Sequence, residues 1–383
     1  MNKYDVAIVG GGMVGAALAV GFAKQGRKVA LIEGCEPKAY DSQQPMDIRV
    51  SAISEASVRL LQQLGGWQHT ASMRVCPYRR LETWEHPECR TRFSADDMQL
   101  KQLGYIVENR LIQLGLWHEL AQYSNLEVLC PEKLESMTFE HESNQLHLAS
   151  GNEISASWVV GADGANSQVR THAGIGVTAW DYRQHCMLIN VETEHPQQDI
   201  TWQQFLPSGP RSFLPLCGNQ GSLVWYDSPK RIKQLMAMNA TQLEEQVVNH
   251  FPEELGGIKV LQKGAFPLTR RHAQSYVSQR CVLVGDAAHT INPLAGQGVN
   301  LGFKDAQCLL QVSADKPLTL DIMKQYQLRR YPDNLLMQTG MDVFYKGFSN
   351  TLAPLQLARN ALLKVAEHSG PIKHQVLKYA LGL

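Results

Sequence analysis

The chain has 383 residues, 44% of them hydrophobic, which exceeds what one core usually fills and makes two domains the expectation. Thirty-six basic residues balance thirty-six acidic ones with no Lys/Arg cluster, which argues against a nucleic-acid-binding surface. Eight cysteines without a C-x-x-C pair and thirteen histidines without H-E-x-x-H spacing argue for reduced, packing thiols in the cytoplasm and against a metal centre.

The first strong signal is VAIVGGGMVGAALAVGFAKQGRKVALIE, Val6 to Glu33. An apolar strand meets a glycine turn with Gly10, Gly12 and Gly15 in G-x-G-x-x-G spacing, and a helix of small residues follows. The first glycine permits the turn, the second lets a pyrophosphate approach the backbone, and the third lets helix and strand pack closely. The helix N-terminus then turns free N–H groups toward the phosphates. Glu33 closes the return strand, placed to accept from a ribose hydroxyl. Val6 to Ala23 carries no charge, so a membrane helix and a signal peptide compete with this reading. Five glycines, three of them consecutive, make a poor continuous helix, and no small-residue cleavage site precedes the return strand. The expectation is therefore neither a signal peptide nor a transmembrane helix.

A polar loop over 34–47 leads to Arg49 and a helix over 54–64 capped by Ser54. Arg49 is either solvated or able to reach a phosphate or the cofactor ring. YRRLETWE at 78–85 and the strand 91–93 read as a hairpin, and Asn109 precedes a helix that returns the chain to the first domain. Strands over 126–129, 137–141 and 146–148 follow. Another, 158–162, ends in Asp163-Gly164, where open parallel sheets bind ligands; an ordinary Asp-Gly turn is the alternative.

Between 186 and 227 the texture changes to short strands broken by turn residues, the pattern of an antiparallel sheet. Its Phe213, Pro215 and Trp225 are candidates for touching substrate, with core packing the alternative. The second strong signal is CVLVGDAAHTINPLAGQGVNLG, 281–302. A buried strand ends in Gly285-Asp286, whose carboxylate can hold a polyol hydroxyl. The chain then passes His289 and Pro293, and Gly296-Gln297-Gly298 opens a helix whose N–H groups favour negative charge before it. From 318 onward the pattern is helical, with breaks expected at Pro332 and Pro354 and with basic and apolar residues interleaved. Such a tail suits a membrane surface or docking against the sheet.

The expected fold is α/β: a Rossmann-like nucleotide-binding domain (1–75, 101–180 and 272–340) with an inserted, mostly antiparallel β-sheet substrate domain (76–100 and 181–271) and a helical C-terminal tail (341–383).

The glycine turn with Glu33, then Asp163-Gly164, then Gly285-Asp286 with Pro293 through Gly298, resemble in order the three signatures of the single-component flavin-dependent aromatic hydroxylases, the fold typified by para-hydroxybenzoate hydroxylase. The stretches DIRVSAISEAS, PYRRLETWE, GADGANSQVR, GDAAHTINPLAGQGVNLG and LKYALGL are similar to the ubiquinone-biosynthesis branch. The resemblance implies FAD, with its ADP portion on Gly10 to Gly15 and Glu33. Its other contacts would be Arg49, Asn109, Asp163, Gly164, Gly285 and Asp286, with Gly298, Val299 and Asn300 beyond them. It implies NAD(P)H as reductant without a domain of its own, O2 as co-substrate, and a C4a-hydroperoxide that hydroxylates the ring of a polyprenylated benzoquinol such as 2-octaprenyl-3-methyl-6-methoxy-1,4-benzoquinol. Pro293 would wall the flavin face, and the N–H groups at Gly296, Gln297 and Gly298 would stabilise charge on the reduced ring. Other ubiquinone-biosynthesis proteins are implied partners, and a cytoplasmic chain with peripheral contact on the inner face of the membrane is the implied location. Three rivals stand: a sibling hydroxylase acting on an earlier polyprenylphenol, a flavoprotein reductase of the same fold, and a scaffold that keeps FAD for stability. The W-x-W-x-I-P signature of halogenases is absent.

Overall fold

The computed structural model describes residues 2–196, 199–291, 298–350 and 352–369. Its first sheet is built from the apolar runs seen in the sequence. Strands Cys281–Leu283, Glu153–Gly161, Asn2–Val9, Val29–Ile32 and Leu126–Leu129 lie side by side in that order, all parallel. The first four are largely buried, as expected of parallel strands covered on both faces, while the edge strand Leu126–Leu129 is not. The register pairs Val9 with Ile32 and Gly161, and Gly161 with Leu283. Segments far apart in sequence therefore end level, and the turns that follow them share one edge of the sheet.

The second sheet runs His289–Thr290, Ile258–Ala273, Val177–Thr193, Gln220–Asp227, Arg211–Leu216, Ile200–Gln204, Arg80–Trp84 and Thr91–Ser94. Its pairs are antiparallel except Ile200–Gln204 with Arg80–Trp84. Segment 76–100 divides: Cys76–Tyr78 pairs with Gly104–Glu108 in a separate three-stranded sheet, and the hairpin Arg80–Trp84 with Thr91–Ser94 extends the large one. Helices Pro229–Ala237 and Ala240–His250 cover one face of the large sheet, where Ile232, Leu235, Leu243 and Val247 pack on Met187, Ile189, Phe213, Leu223 and Trp225. Because strand side chains alternate, Cys186, Leu188, Ser212, Leu214, Val224 and Tyr226 face the other way, toward the first sheet.

The expected break at Pro332 does not occur. Helix Leu320–Phe348 runs through it, while Pro354 sits in the first turn of Ala353–His368, where a proline costs little. Pro332 lies on the solvent side, so the carbonyl it leaves without an N–H donor can take water. Arg330 and Asn334, on either side of it, are both anchored to buried Asp305. Among the described residues, no helix is long and apolar enough to cross a membrane.

Candidate active site

At the level edge of the first sheet, backbone crowding explains the glycines. Gly10 has φ +102°, and a Cβ there would stand 2.5 Å from the Ala162 carbonyl oxygen. At Gly15 a Cβ would stand 1.8 Å from the Gly10 oxygen. Gly12 differs, since a Cβ would meet nothing within 4 Å among the described residues, which leave the space beside it open. Helix Met13–Lys24 starts there with no side-chain cap, leaving its first N–H groups turned to that space.

Glu33 braces the turn. One carboxylate oxygen accepts from Gly11 N at 2.6 Å and the other from Cys35 N at 3.1 Å. From the other side Gln113 and Trp117 donate to the Gly11 oxygen at 2.8 and 2.7 Å. The sequence reading missed both, although they stand four and eight residues after Asn109 on the face of one helix. Asn109 lines the cavity at that edge and accepts from Ser51 Oγ at 2.7 Å. Arg49 lines it too, its guanidinium 4.5 Å above the Phe266 ring and without a hydrogen-bond partner among the described residues.

Gly164, at φ +77°, is on the cavity wall; Asp163 is not. The Asp163 carboxylate instead accepts from Gln168 N and Val169 N at 2.7 and 3.1 Å and organises the turn into helix Gln168–His172. Its second oxygen is buried without a partner among the described residues. Asp286 projects into the cavity, exposed to its space yet crowded by protein, and this crowding raises its carboxyl above the usual range against the opposing pull of His289 and Arg49.

Behind Asp286 stands a network that the sequence reading did not find. Asp305, fully buried, accepts from Gly285 N at 3.0 Å, His289 Nε2 at 2.5 Å, Arg330 Nε at 2.7 Å and Asn334 at 3.0 Å. Burial alone would raise its carboxyl; His289 and Arg330 overcome that and hold it down at about 2. This fixes the 285–289 turn, and it gives His289 a structural role. Arg330, Asn334, Gln338 and Asp342 form one stripe of buried polar residues at every fourth position of the long helix. Gln338 bridges His272 and the Thr290 oxygen, and Asp342 takes Arg270 and Tyr182.

Gly298 and Val299, at the start of helix Gly298–Ser313, also line the cavity. Asn300 does not: its side chain accepts from Ser54 N and Ser57 Oγ and donates to the Ala52 oxygen, at 2.8–3.0 Å. Its side chain therefore pins that helix to strand Val50–Ser54 and helix Glu55–Leu64 and is not turned to the cavity. Pro293, Gly296 and Gln297 lie outside the described residues.

The substrate candidates Phe213, Pro215 and Trp225 are also corrected. Phe213 and Trp225 are fully buried on the helix-covered face of the large sheet, and Pro215 shares their parity. Their neighbours Ser212, Leu214, Val224 and Tyr226 line the cavity. One continuous cavity of about 650 Å³ thus runs from Gly12, Arg49, Gly164 and Asp286 at the glycine edge to the inner face of the large sheet. At the sheet end its wall mixes the apolar side chains of Leu81, Leu188, Leu214, Phe266 and Leu268 with the small polar groups of Thr201, Gln203 and Ser212. Burial raises the Cys186 thiol and the Tyr226 hydroxyl well above their ordinary values, so both are neutral near pH 7.

A glycine-built edge opening on a cavity that reaches a second sheet defines a dinucleotide-cofactor enzyme. Residues 3–314 match the family described as FAD binding domain. The chain is 51% identical to 3-demethoxyubiquinol 3-hydroxylase of Escherichia coli (strain K12), over 99% of this chain and 98% of that one. It is 34% identical to ubiquinone hydroxylase UbiL of Rhodospirillum rubrum, over 99% and 89%. In fold it is similar to p-nitrophenol 4-monooxygenase PnpA from Pseudomonas putida DLL-E4, with a TM-score of 0.83 at 16% identity over 100% of this chain and 99% of that one. The chain belongs to the FAD-binding monooxygenase family and, within it, to the ubiquinone-biosynthesis hydroxylases.

Proposed function

We propose that this flavoprotein hydroxylates the ring of a polyprenylated benzoquinol in ubiquinone biosynthesis, with NAD(P)H as reductant and O2 as co-substrate. The observation that carries the reading is the single cavity joining the glycine edge to the large sheet, since ring hydroxylation needs cofactor and substrate in one water-poor space. The residues fit FAD. Beside Gly12 there is open space for a pyrophosphate, and Arg49 brings a guanidinium without a hydrogen-bond partner among the described residues. Glu33, Asn109, Gly164, Asp286, Gly298 and Val299 would complete the contacts. When bound, FAD supplies the activation of O2 that an electron-rich ring requires.

The protein's own part is orientation and exclusion of water. Thr201, Gln203 and Ser212 offer hydrogen bonds for ring oxygens, set among apolar side chains that hold the ring plane. Tyr226 and Cys186 are neutral there, and the carboxylate on that wall, Glu82, is paired with Arg90 and Arg92. The 51% identity to a 3-demethoxyubiquinol hydroxylase favours a late benzoquinol over an earlier polyprenylphenol. Contact with other ubiquinone-biosynthesis proteins and with a membrane face belongs to the same proposal, supported by the exposed Leu352, Leu355 and Leu357.

Deleting the gene tests the substrate. The accumulating quinone intermediate should lack one ring hydroxyl; an intermediate that already carries it overturns the assignment. With purified protein, 18O from labelled O2 should enter the product, whereas a reductase would leave the product unlabelled.

A further inference from the structure

We propose that the groove between the 205–210 loop and the end of helix Leu320–Phe348 carries the polyprenyl chain of the substrate out of the cavity. This rests on the benzoquinol reading above and adds the site for the part of the substrate that does not react.

The first argument is size. A pocket of roughly 300–1,000 Å³ holds one drug-sized ligand. A cavity of about 650 Å³ that must take a flavin ring and a quinol ring has no room for a long isoprenoid chain as well, so the chain must leave.

The second argument is continuity. Phe205 and Phe344 line the sheet end of the cavity and also line a second hollow with Leu206, Pro210, Phe348 and Ser349. Among the described residues, no side chain lining that hollow is charged. Its floor is three rings in mutual contact, Phe205–Phe348 at 4.4 Å, Phe344–Phe348 at 4.8 Å and Phe205–Phe344 at 5.1 Å between centroids. A channel lined mainly by aromatic and aliphatic groups, with Tyr345 and Ser349 beside them, suits an unsaturated hydrocarbon chain better than a charged ligand.

The third argument is the surface that follows. Phe344, on the hollow, is 42% exposed, and Val343, Leu352 and Leu355 nearby in the chain are exposed too. A large apolar ring left exposed where two hollows meet marks a place that something apolar covers. The hollow now has a free volume of only about 10 Å³. Phe344, the most exposed of the three rings, is therefore the gate that must turn aside for the chain to pass, a side-chain motion of the fast kind.

The test compares two quinols with the same ring, one bearing a methyl group and one a long polyprenyl chain in mild detergent, on flavin-loaded protein. Leu206→Trp and Ser349→Trp fill the groove from opposite walls without touching the ring site. Each should raise KM for the long-chain quinol about tenfold, equivalent to about 1.4 kcal/mol, and leave the methyl quinol within about twofold. Equal shifts for both quinols, or no shift for the long one, overturn the groove while leaving the hydroxylase reading intact. A wild-type protein that hydroxylates neither quinol overturns both. Should the Trp variants fail to fold, Ser349→Cys serves without turnover: the long-chain quinol should slow maleimide labelling of the thiol introduced there, read by mass spectrometry of that peptide, and the methyl quinol should not. Equal labelling with and without the long-chain quinol overturns the proposal.

Discussion

The two ends of the cavity are built by different means. At the glycine edge the main chain does the work: Gly10 and Gly15 are required because another backbone atom occupies the place of a Cβ, and the parallel register brings three distant turns level. At the sheet end side chains do the work, and a residue belongs to the cavity or to the core according to which face of its strand it occupies. The first construction tolerates almost no substitution; the second tolerates many provided the face is respected.

The contrast is sharpest within the glycine turn itself. Gly15→Ala should leave no folded, flavin-loaded protein, a cost above about 5 kcal/mol, because the methyl would lie 1.8 Å from a carbonyl oxygen. Gly12→Ala, with open space beside it, should fold with an unchanged thermal midpoint when flavin-free and bind FAD more weakly. Flavin absorbance and thermal unfolding of the two variants separate these outcomes, and equal behaviour would break the comparison.

Asp305→Ala should cost about 3–5 kcal/mol, since it strands Arg330 and His289 as buried charge and donor; denaturant unfolding measures it. Trp225→Ala should cost about 3–5 kcal/mol as well while leaving the KM of the methyl quinol unmoved, because the indole faces the helices. A changed KM with little loss of stability would return Trp225 to the cavity.

The pH response should come from His272. Burial pushes its imidazole down from 6.5 to about 4. Its Nδ1 is held by Gln338 at 2.8 Å while Nε2 is buried without a partner, so protonation in the fold is opposed. A depressed folded value means the contribution is complete above pH 6.5 and is lost as pH falls through about 4, amounting to no more than about 3 kcal/mol. The pH dependence of the thermal midpoint should flatten in that window in His272→Asn. The smallest effect is expected from Ser212→Ala: about 1 kcal/mol for its hydrogen bond to Gln203, with a measurable rise in KM for the methyl quinol.

What the sequence disclosed follows from the same contrast. Glycines at fixed spacing and carboxylates at strand ends are legible because sterics leave few other residues at those positions. Phe213 and Trp225 were misplaced because aromatic character says nothing about parity, and a one-residue step exchanges the two faces. The Asp305 network was hidden because its members come from separate elements. One signal was available, the polar stripe at 330, 334, 338 and 342, spaced at every fourth position of one helix. Pro332 misled because propensity was weighed without the packing on either side of it.

The strand order of the first sheet has a consequence for synthesis. Strand Glu153–Gly161 lies between Asn2–Val9 and Cys281–Leu283, and the last of these leaves the ribosome only after the whole antiparallel sheet except His289–Thr290. The glycine-turn strand Asn2–Val9 gains both of its neighbours early, but Val159–Gly161 keeps an apolar edge unpaired until Cys281–Leu283 is made. Non-local pairing of this kind is slow and prone to aggregation, so yield on overexpression should depend on chaperone supply and on flavin being at hand when the final strand docks.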